Sequence, residues 1–180
     1  MPKDILQLVN SRVESWITYP GCDMKTLMMR KTYWVLTLGS LMAIVALTLG
    51  FLIFIPGLTI LISYGAVLIA ELVLMLFLIP LFPRLFKGLA VANQVMLILV
   101  TFIAILKLGG ISSSAGLVFV GLSAVLSSIP LQNFRISLAL FAWYTVTILA
   151  AGILHPWLTI PEQMVPGVNS FIFTLNTLWM

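Results

Sequence analysis

Long apolar runs dominate this chain, and most charged residues lie in the short segments before and between them. The runs cover residues 33–55, 58–79, 89–107, 115–131 and 136–154, with a sixth over 168–180. At 1.5 Å per residue, a helix of about 20 residues spans a hydrocarbon core of ~30 Å, whereas the sixth run reaches only ~20 Å. The pattern predicts an all-α, polytopic membrane bundle of six transmembrane helices over 33–180, the sixth truncated.

Composition excludes the soluble alternatives. The chain has 180 residues, of which 62% are hydrophobic and 8% charged, and its mean hydropathy is +1.19. An average soluble domain is about 45–50% apolar and about 25% charged. A domain of this size cannot bury so much apolar surface, so a soluble domain or a disordered chain is excluded. Cys22 is the only cysteine, so a disulfide scaffold is excluded as well.

The cationic residues predict the orientation. Of nine, only Lys107 borders an outer connector; the others would lie on one side, at positions 3, 12, 25, 30, 31, 84, 87 and 135. The positive-inside rule then predicts a cytoplasmic N-terminus. No dense basic stripe exists for nucleic acid, so the lipid bilayer is the expected partner.

Residues 1–32 form a predicted cytoplasmic lead, amphipathic and basic. Residues 1–19 alternate between an apolar and a polar face at helical spacing, with Trp16 suited to a membrane interface. This segment could lie on the inner leaflet or pack beneath the bundle, and both interpretations remain open. Asp23 is the predicted N-cap of the helix that enters the membrane.

Polar residues inside the runs are the candidates for a ligand site or a switch. Glu71 is the only acidic residue inside a run, and an ionised carboxylate there costs on the order of 2.5–3.5 kcal/mol on insertion scales. Counted from the inner ends of their helices, Glu71, Ser123 and Tyr144 share a depth of ~12 Å, with Ser40 slightly nearer that end. Asn93 early in the third helix is a further candidate. The alternative is a polar cluster that only fixes helix packing.

The outer connectors supply a second group of candidates: Gly109, Gly110, Ser112 and His155. The segment 109–116 is a small polar turn, and His155 follows the fifth run. His155 is either solvated there or an external pH sensor.

No enzymatic constellation is found within these 180 residues. Ser123 lies in a Gly-Leu-Ser-Ala segment similar to a serine-protease motif. However, it lies ~13 Å below the outer end of its helix, and the sole histidine is at the outer membrane surface, out of reach of its hydroxyl. One cysteine and one histidine provide no recognisable metal cluster, and no nucleotide fingerprint occurs. No catalytic residue, metal or cofactor is therefore expected.

Several short motifs resemble the six-helix N-terminal input domain of bacterial membrane sensor histidine kinases and related membrane-anchored nucleotide cyclases. These are the basic lead 29–31, Arg84 between helices two and three, Asn93, the Gly-Gly-Ile-Ser-Ser-Ser-Ala-Gly loop at 109–116 and Arg135 before helix five. The resemblance implies a location in the bacterial inner membrane. It also implies a parallel homodimer whose sixth helix continues into a cytoplasmic dimerisation helix and a catalytic effector domain absent from this chain.

Sensory input and anchoring in signal transduction is thus the first expected function. A small transport component, such as the six-helix vitamin-binding subunit of an energy-coupling transporter, fits the length and helix count equally well. A purely structural anchor is the third possibility.

Overall fold

Five helices make up most of the protein in its computed structural model. The residues described are 15, 18, 23–54, 57, 59–114, 116–128, 134–162, 167–170, 173 and 174, and this portion of the chain contains no strand. The helices are α1 Met24–Phe54, α2 Thr59–Leu81, α3 Phe86–Lys107, α4 Leu117–Ser128 and α5 Phe134–Leu154, with short 3-10 turns at Pro83–Leu85 and His155–Trp157.

Four of these helices are long and apolar enough to cross a membrane: α1, α2, α3 and α5. They leave many large apolar side chains exposed, such as Met42 and Ile53, which suits contact with lipid rather than water. The helices therefore indicate a membrane protein, and the all-α class is confirmed for the described residues. Six spans and a cytoplasmic N-terminus stay predictions.

Two of the predicted helices are described only in part. α4 has 12 residues, against the 17 predicted over 115–131, because it begins at Leu117, after Gly116 with φ +78°, and because residues 129–131 lie outside the described ranges. Within the sixth run, residues 168–170, 173 and 174 are helical. The amphipathic helix predicted over 1–19 also lies outside the described residues, apart from positions 15 and 18.

Asp23 caps α1 as predicted. The backbone N–H of Thr26 donates to Asp23 Oδ2 at 3.2 Å, and the N–H of Leu27 donates to the Asp23 carbonyl at 3.0 Å. These bonds satisfy donors that the first turn of a helix leaves free. The hydrogen bonds from Thr26 lower the pKa of the Asp23 carboxyl below its ordinary value. α1 consequently begins at Met24 and enters the predicted span already helical.

α2 contains Pro80 and continues past residue 79, the end of the predicted run. Proline has no N–H, so Pro80 leaves the carbonyl of Leu76 without its helical donor, yet the helix continues to Leu81. The indole Nε1–H of Trp34 on α1 donates to that carbonyl at 3.4 Å. The helix therefore tolerates the proline because α1 supplies a replacement donor.

Arg30 supplies a second replacement donor from the preceding turn of α1. Pro83 cannot donate to the carbonyl of Ile79, and Arg30 Nη2 donates to it at 3.0 Å. Arg30 is fully buried, although its sequence position suggested a cation at the inner membrane surface. Arg30 and Trp34 are four residues apart and so lie on the same face of α1. Together they donate to the two α2 carbonyls that lack a backbone donor.

The helices pack antiparallel to their chain neighbours. α1 packs mainly against α2, whereas α3 packs against α2, α4 and α5. In the most apolar stretch of α1, 6% of the residues are buried, against 39% in the corresponding stretch of α3. Of the four long helices, α1 is therefore the most peripheral. We call the end where α1, α3 and α5 begin the basic end, because it carries Lys25, Arg84, Lys87 and Arg135; the opposite end, with Lys107, is the loop end.

Small residues permit the closest helix contacts. A Cβ on Gly65 of α2 would clash with the Thr48 side chain of α1, and one on Gly121 of α4 would approach the Tyr144 ring of α5 to 2.9 Å. Only glycine allows the backbones to come this near. The Gly65–Thr48 contact holds α1 against α2 toward the loop end, while Arg30 and Trp34 hold it at the basic end.

Candidate functional site

A partly open cavity of about 540 Å³ lies among α1, α2, α3 and α4. We call it the Glu71 cavity. Its polar lining residues come from all four helices: Tyr33, Thr37, Ser40, Glu71, Asn93 and Ser123. Four of the five residues predicted as ligand or switch candidates are thus brought together by the fold.

Tyr144, the fifth, does not line this cavity. Its hydroxyl donates to the Val118 carbonyl at 2.8 Å, and its ring packs against Gly121. The sequence analysis grouped Tyr144 with Glu71 and Ser123 because they share a depth along their helices. Depth, however, does not specify which way a side chain faces. Tyr144 instead joins α5 to α4.

Glu71 lies near the middle of α2, with Leu68 and Leu72 beside it in the wall of the cavity. Both carboxyl oxygens are buried, and neither has a hydrogen-bond partner within the described residues. A buried polar group without a partner costs about 1–3 kcal/mol, and more when it is charged. Glu71 therefore holds strong acceptor capacity beside the cavity that these residues do not use.

Two hydroxyl groups add to that capacity. Thr37 Oγ1 donates to the Tyr33 carbonyl at 2.8 Å, and Ser123 Oγ donates to the Val120 carbonyl at 2.7 Å. Each hydroxyl has one proton, which is committed to its own helix, so the oxygen keeps lone pairs for a further donor. α1, α2 and α4 thus each offer an acceptor at one cavity.

Thr37 and Tyr33 were missed by the sequence analysis, although a signal for them exists. Residues 30, 33, 37, 40 and 44 follow helical spacing and so share one face of α1. Tyr33 is buried, and its ring meets the edge of Phe86 with a centroid separation of 5.7 Å. The face that carries Ser40 therefore also carries Arg30 and Thr37.

The buried amides of α3 differ in position. Asn93 lines the cavity, and its Oδ1 is buried without a hydrogen-bond partner among the described residues; both polar side-chain atoms of Gln94 are buried without a partner as well, but Gln94 does not line the cavity. Gln94 therefore makes no bond to another helix within these ranges. Ser137 of α5 is likewise buried.

The predicted outer-loop candidates also come together, at the loop end. His155 Nδ1 donates to the Gly109 carbonyl at 2.9 Å, and Ser112 Oγ lies 3.3 Å from Nε2. Because a carbonyl only accepts, Nδ1 carries a proton. Asn169 Nδ2 donates to the Ser112 carbonyl at 3.1 Å. We call these residues, with Gly110, the His155 cluster.

Glycine is required within that cluster. Gly110 has φ +99°, and a Cβ there would clash with His155 Nδ1. His155 is half-buried against the loop rather than freely solvated. The cluster fastens the α3–α4 connection to the end of α5.

The described residues contain no group of three or more His, Cys, Asp or Glu side chains placed to hold a metal ion. The strongest candidate site in these ranges is instead the Glu71 cavity, which is partly open and has both polar and apolar lining residues. No protein-family model, curated protein or solved structure matches this chain.

Proposed function

We propose that this chain is the sensory input module of a bacterial membrane signalling protein. A ligand in the Glu71 cavity would alter the packing of α1, and the change would pass to a cytoplasmic effector at the basic end. The proposal includes a cytoplasmic N-terminus, as the clustering of cations at that end supports.

The observation that carries this proposal is the unpartnered carboxyl of Glu71 in the wall of a cavity. A residue that only fixes helix packing would form hydrogen bonds with a neighbouring helix. Within the described residues Glu71 forms none. A ligand site accounts for this arrangement better than a packing role does.

The packing of α1 supports a signalling mechanism. α1 contributes one wall of the cavity but packs mainly against α2, so its distance from α4 can change at low cost. A ligand that bridges α1 and α4 would favour the packing in which they are closer. To shift the output it must prefer that packing by a few kcal/mol.

The test is the effector output of the natural full-length protein carrying Glu71→Gln. We expect kinase or cyclase output to change severalfold at unchanged expression, because the substitution removes the charge that the ligand would engage. The matched control is Glu162→Gln, an exposed acidic residue outside the cavity. Unchanged output in Glu71→Gln would contradict the proposal.

A transport component would use the same cavity differently. Vesicles containing the purified protein should retain a cavity ligand on the side from which it was added. Flux of that ligand across the membrane, dependent on Glu71, would favour the transport function instead.

A further inference from the structure

We infer that the Glu71 cavity binds a hydrophobic primary amine, a molecule with an ammonium head and an apolar chain. This inference rests on the proposed function in one respect, that the cavity is a ligand site. It goes further in assigning the chemistry of the ligand.

The head group follows from the acceptors. The carboxylate of Glu71, Thr37 Oγ1 and Ser123 Oγ all offer lone pairs, and both hydroxyl protons are already bound to backbone carbonyls. An ammonium group has three N–H donors and no acceptor, so it can bond to three of the acceptors on the residues that line the cavity, a set that also includes Asn93 Oδ1. Its positive charge would also neutralise a carboxylate that is costly inside a membrane.

The apolar chain follows from the rest of the lining. Most of the remaining side chains are aliphatic: Val35, Leu36, Ile44, Leu68, Leu72, Leu97, Val120 and Ala124. The volume of about 540 Å³ lies within the range of roughly 300–1,000 Å³ that is usual for small-molecule sites. A carboxylate or phosphate ligand would meet the charge of Glu71, so an anionic head is disfavoured.

A free amine fits better than a lipid headgroup. Glu71 is ten residues from Leu81, the end of α2, which places it about 15 Å from that end along the helix axis. The ammonium of phosphatidylethanolamine lies at the membrane surface and would have to be drawn in by that distance. The ligand is therefore expected to enter the cavity whole.

The first experiment uses the unaltered chain in nanodiscs of phosphatidylcholine and phosphatidylglycerol. Dissociation constants are measured for dodecylamine, dodecyltrimethylammonium and dodecanoic acid, below the concentrations at which they form micelles. The trimethylammonium head keeps the charge and chain but lacks N–H donors. We expect dodecylamine to bind about tenfold more tightly than this analogue, and dodecanoic acid to bind most weakly. Equal affinity for the two cations would overturn the inference.

The second experiment changes the acceptors. Glu71→Gln should weaken dodecylamine binding by about tenfold or more, and Thr37→Val and Ser123→Ala by severalfold each. Thr145→Val is the matched control, because Thr145 donates to Phe141 four residues earlier but is exposed on α5 outside the cavity. Dodecylamine affinity unchanged in both hydroxyl variants would overturn the assignment, even if Glu71→Gln fails to fold.

Two further outcomes are informative. The first distinguishes a free amine from a lipid headgroup, and the second tests the ligand class independently of the sensory function. If phosphatidylethanolamine in the nanodisc competes with dodecylamine at the cavity, a lipid headgroup is the source, and the inference of a free amine fails. If dodecylamine binds as expected but effector output does not respond to it or to Glu71→Gln, the ligand class stands and the sensory function fails.

Discussion

At the scale of single residues, Arg30 and Trp34 donate hydrogen bonds to two carbonyls of α2 that have no backbone donor. Pro80 and Pro83 each remove a donor, and the two side chains of α1 replace them. A buried carbonyl without a donor would otherwise cost about 1–3 kcal/mol. The prolines of one helix and the side chains of another therefore form a single structural unit.

Trp34→Phe should lower the free energy of unfolding by about 1 kcal/mol, because it leaves the Leu76 carbonyl without a donor. In a Pro80→Ala background the loss should nearly vanish, since the new N–H at position 80 can bond to that carbonyl. A denaturant titration of the four proteins in detergent measures the coupling. Trp143→Phe, at an exposed site on α5, is the control. The same loss in both backgrounds would show that Trp34 acts through packing alone.

Asp23 gives a prediction about pH. Its carboxylate accepts the Thr26 N–H, and this bond lowers its pKa, so the cap is present at neutral pH and is lost as pH falls through that lowered pKa. Acidification should therefore lower the protection factor of the Thr26 amide, which is the exchange rate of an unstructured amide divided by that of Thr26 at the same pH, and Asp23→Ala should lower it already at neutral pH. Asp23→Asn keeps a capping oxygen that does not titrate, so its protection factor should show no such acid step. An acid step of equal size in Asp23→Asn would contradict the assignment.

At the scale of elements, the His155 cluster fixes how α3, α4 and α5 meet at the loop end. The ring joins Gly109 and Ser112 of the α3–α4 connection to the residue that follows α5. Both ring nitrogens are engaged, which ties two segments 46 residues apart. The connection is thus held to α5 as well as to its own helices.

Gly110→Ala should destabilise the protein by more than about 1–2 kcal/mol, the cost of a Cβ in a left-handed conformation, because it also displaces His155. In a His155→Ala background the cost should fall toward that conformational contribution, since the clash is gone. Thermal unfolding of the single and double variants measures the difference. Gly152→Ala on α5 is the control, because its Cβ would make an ordinary contact at 3.7 Å with Ile111. Equal costs in the two backgrounds would show that His155 does not press on the loop.

At the scale of the whole molecule, charge is segregated along the bundle. Arg84 and Lys87 lie at the basic end, and Lys107 lies at the loop end. The positive-inside rule predicts that the basic end faces the cytoplasm. The fold therefore places most cations at one end of the bundle, as the charge pattern of the sequence predicts.

Single cysteines test that polarity. In a Cys22→Ser background, Arg84→Cys should react with a membrane-impermeant maleimide only when the cytoplasmic face is accessible. Lys107→Cys should react from the outside of intact cells. The reverse pattern would invert the orientation and place the proposed effector contact on the wrong side.

The sequence predicted elements better than contacts. Apolar runs identified α1, α2, α3 and α5, and the cap at Asp23 is confirmed by its hydrogen bond. Helical depth placed Ser40, Glu71 and Ser123 near one level, and all three line the Glu71 cavity, but depth could not orient Tyr144. The hydrogen bond between His155 and Gly109 could not be predicted from the sequence, because no periodicity relates two residues that are 46 positions apart.

The two attachments of α1 to α2 limit how a stimulus could leave the bundle. Sliding α1 along its axis by a full turn, ~5.4 Å, would break the bonds of Arg30 and Trp34 and drive Thr48 out of the space that Gly65 provides. Moving the intervening stretch sideways toward α4 disturbs neither attachment. Translation of α1 along its axis therefore costs more free energy than bending of α1 toward α4 between its two attachments.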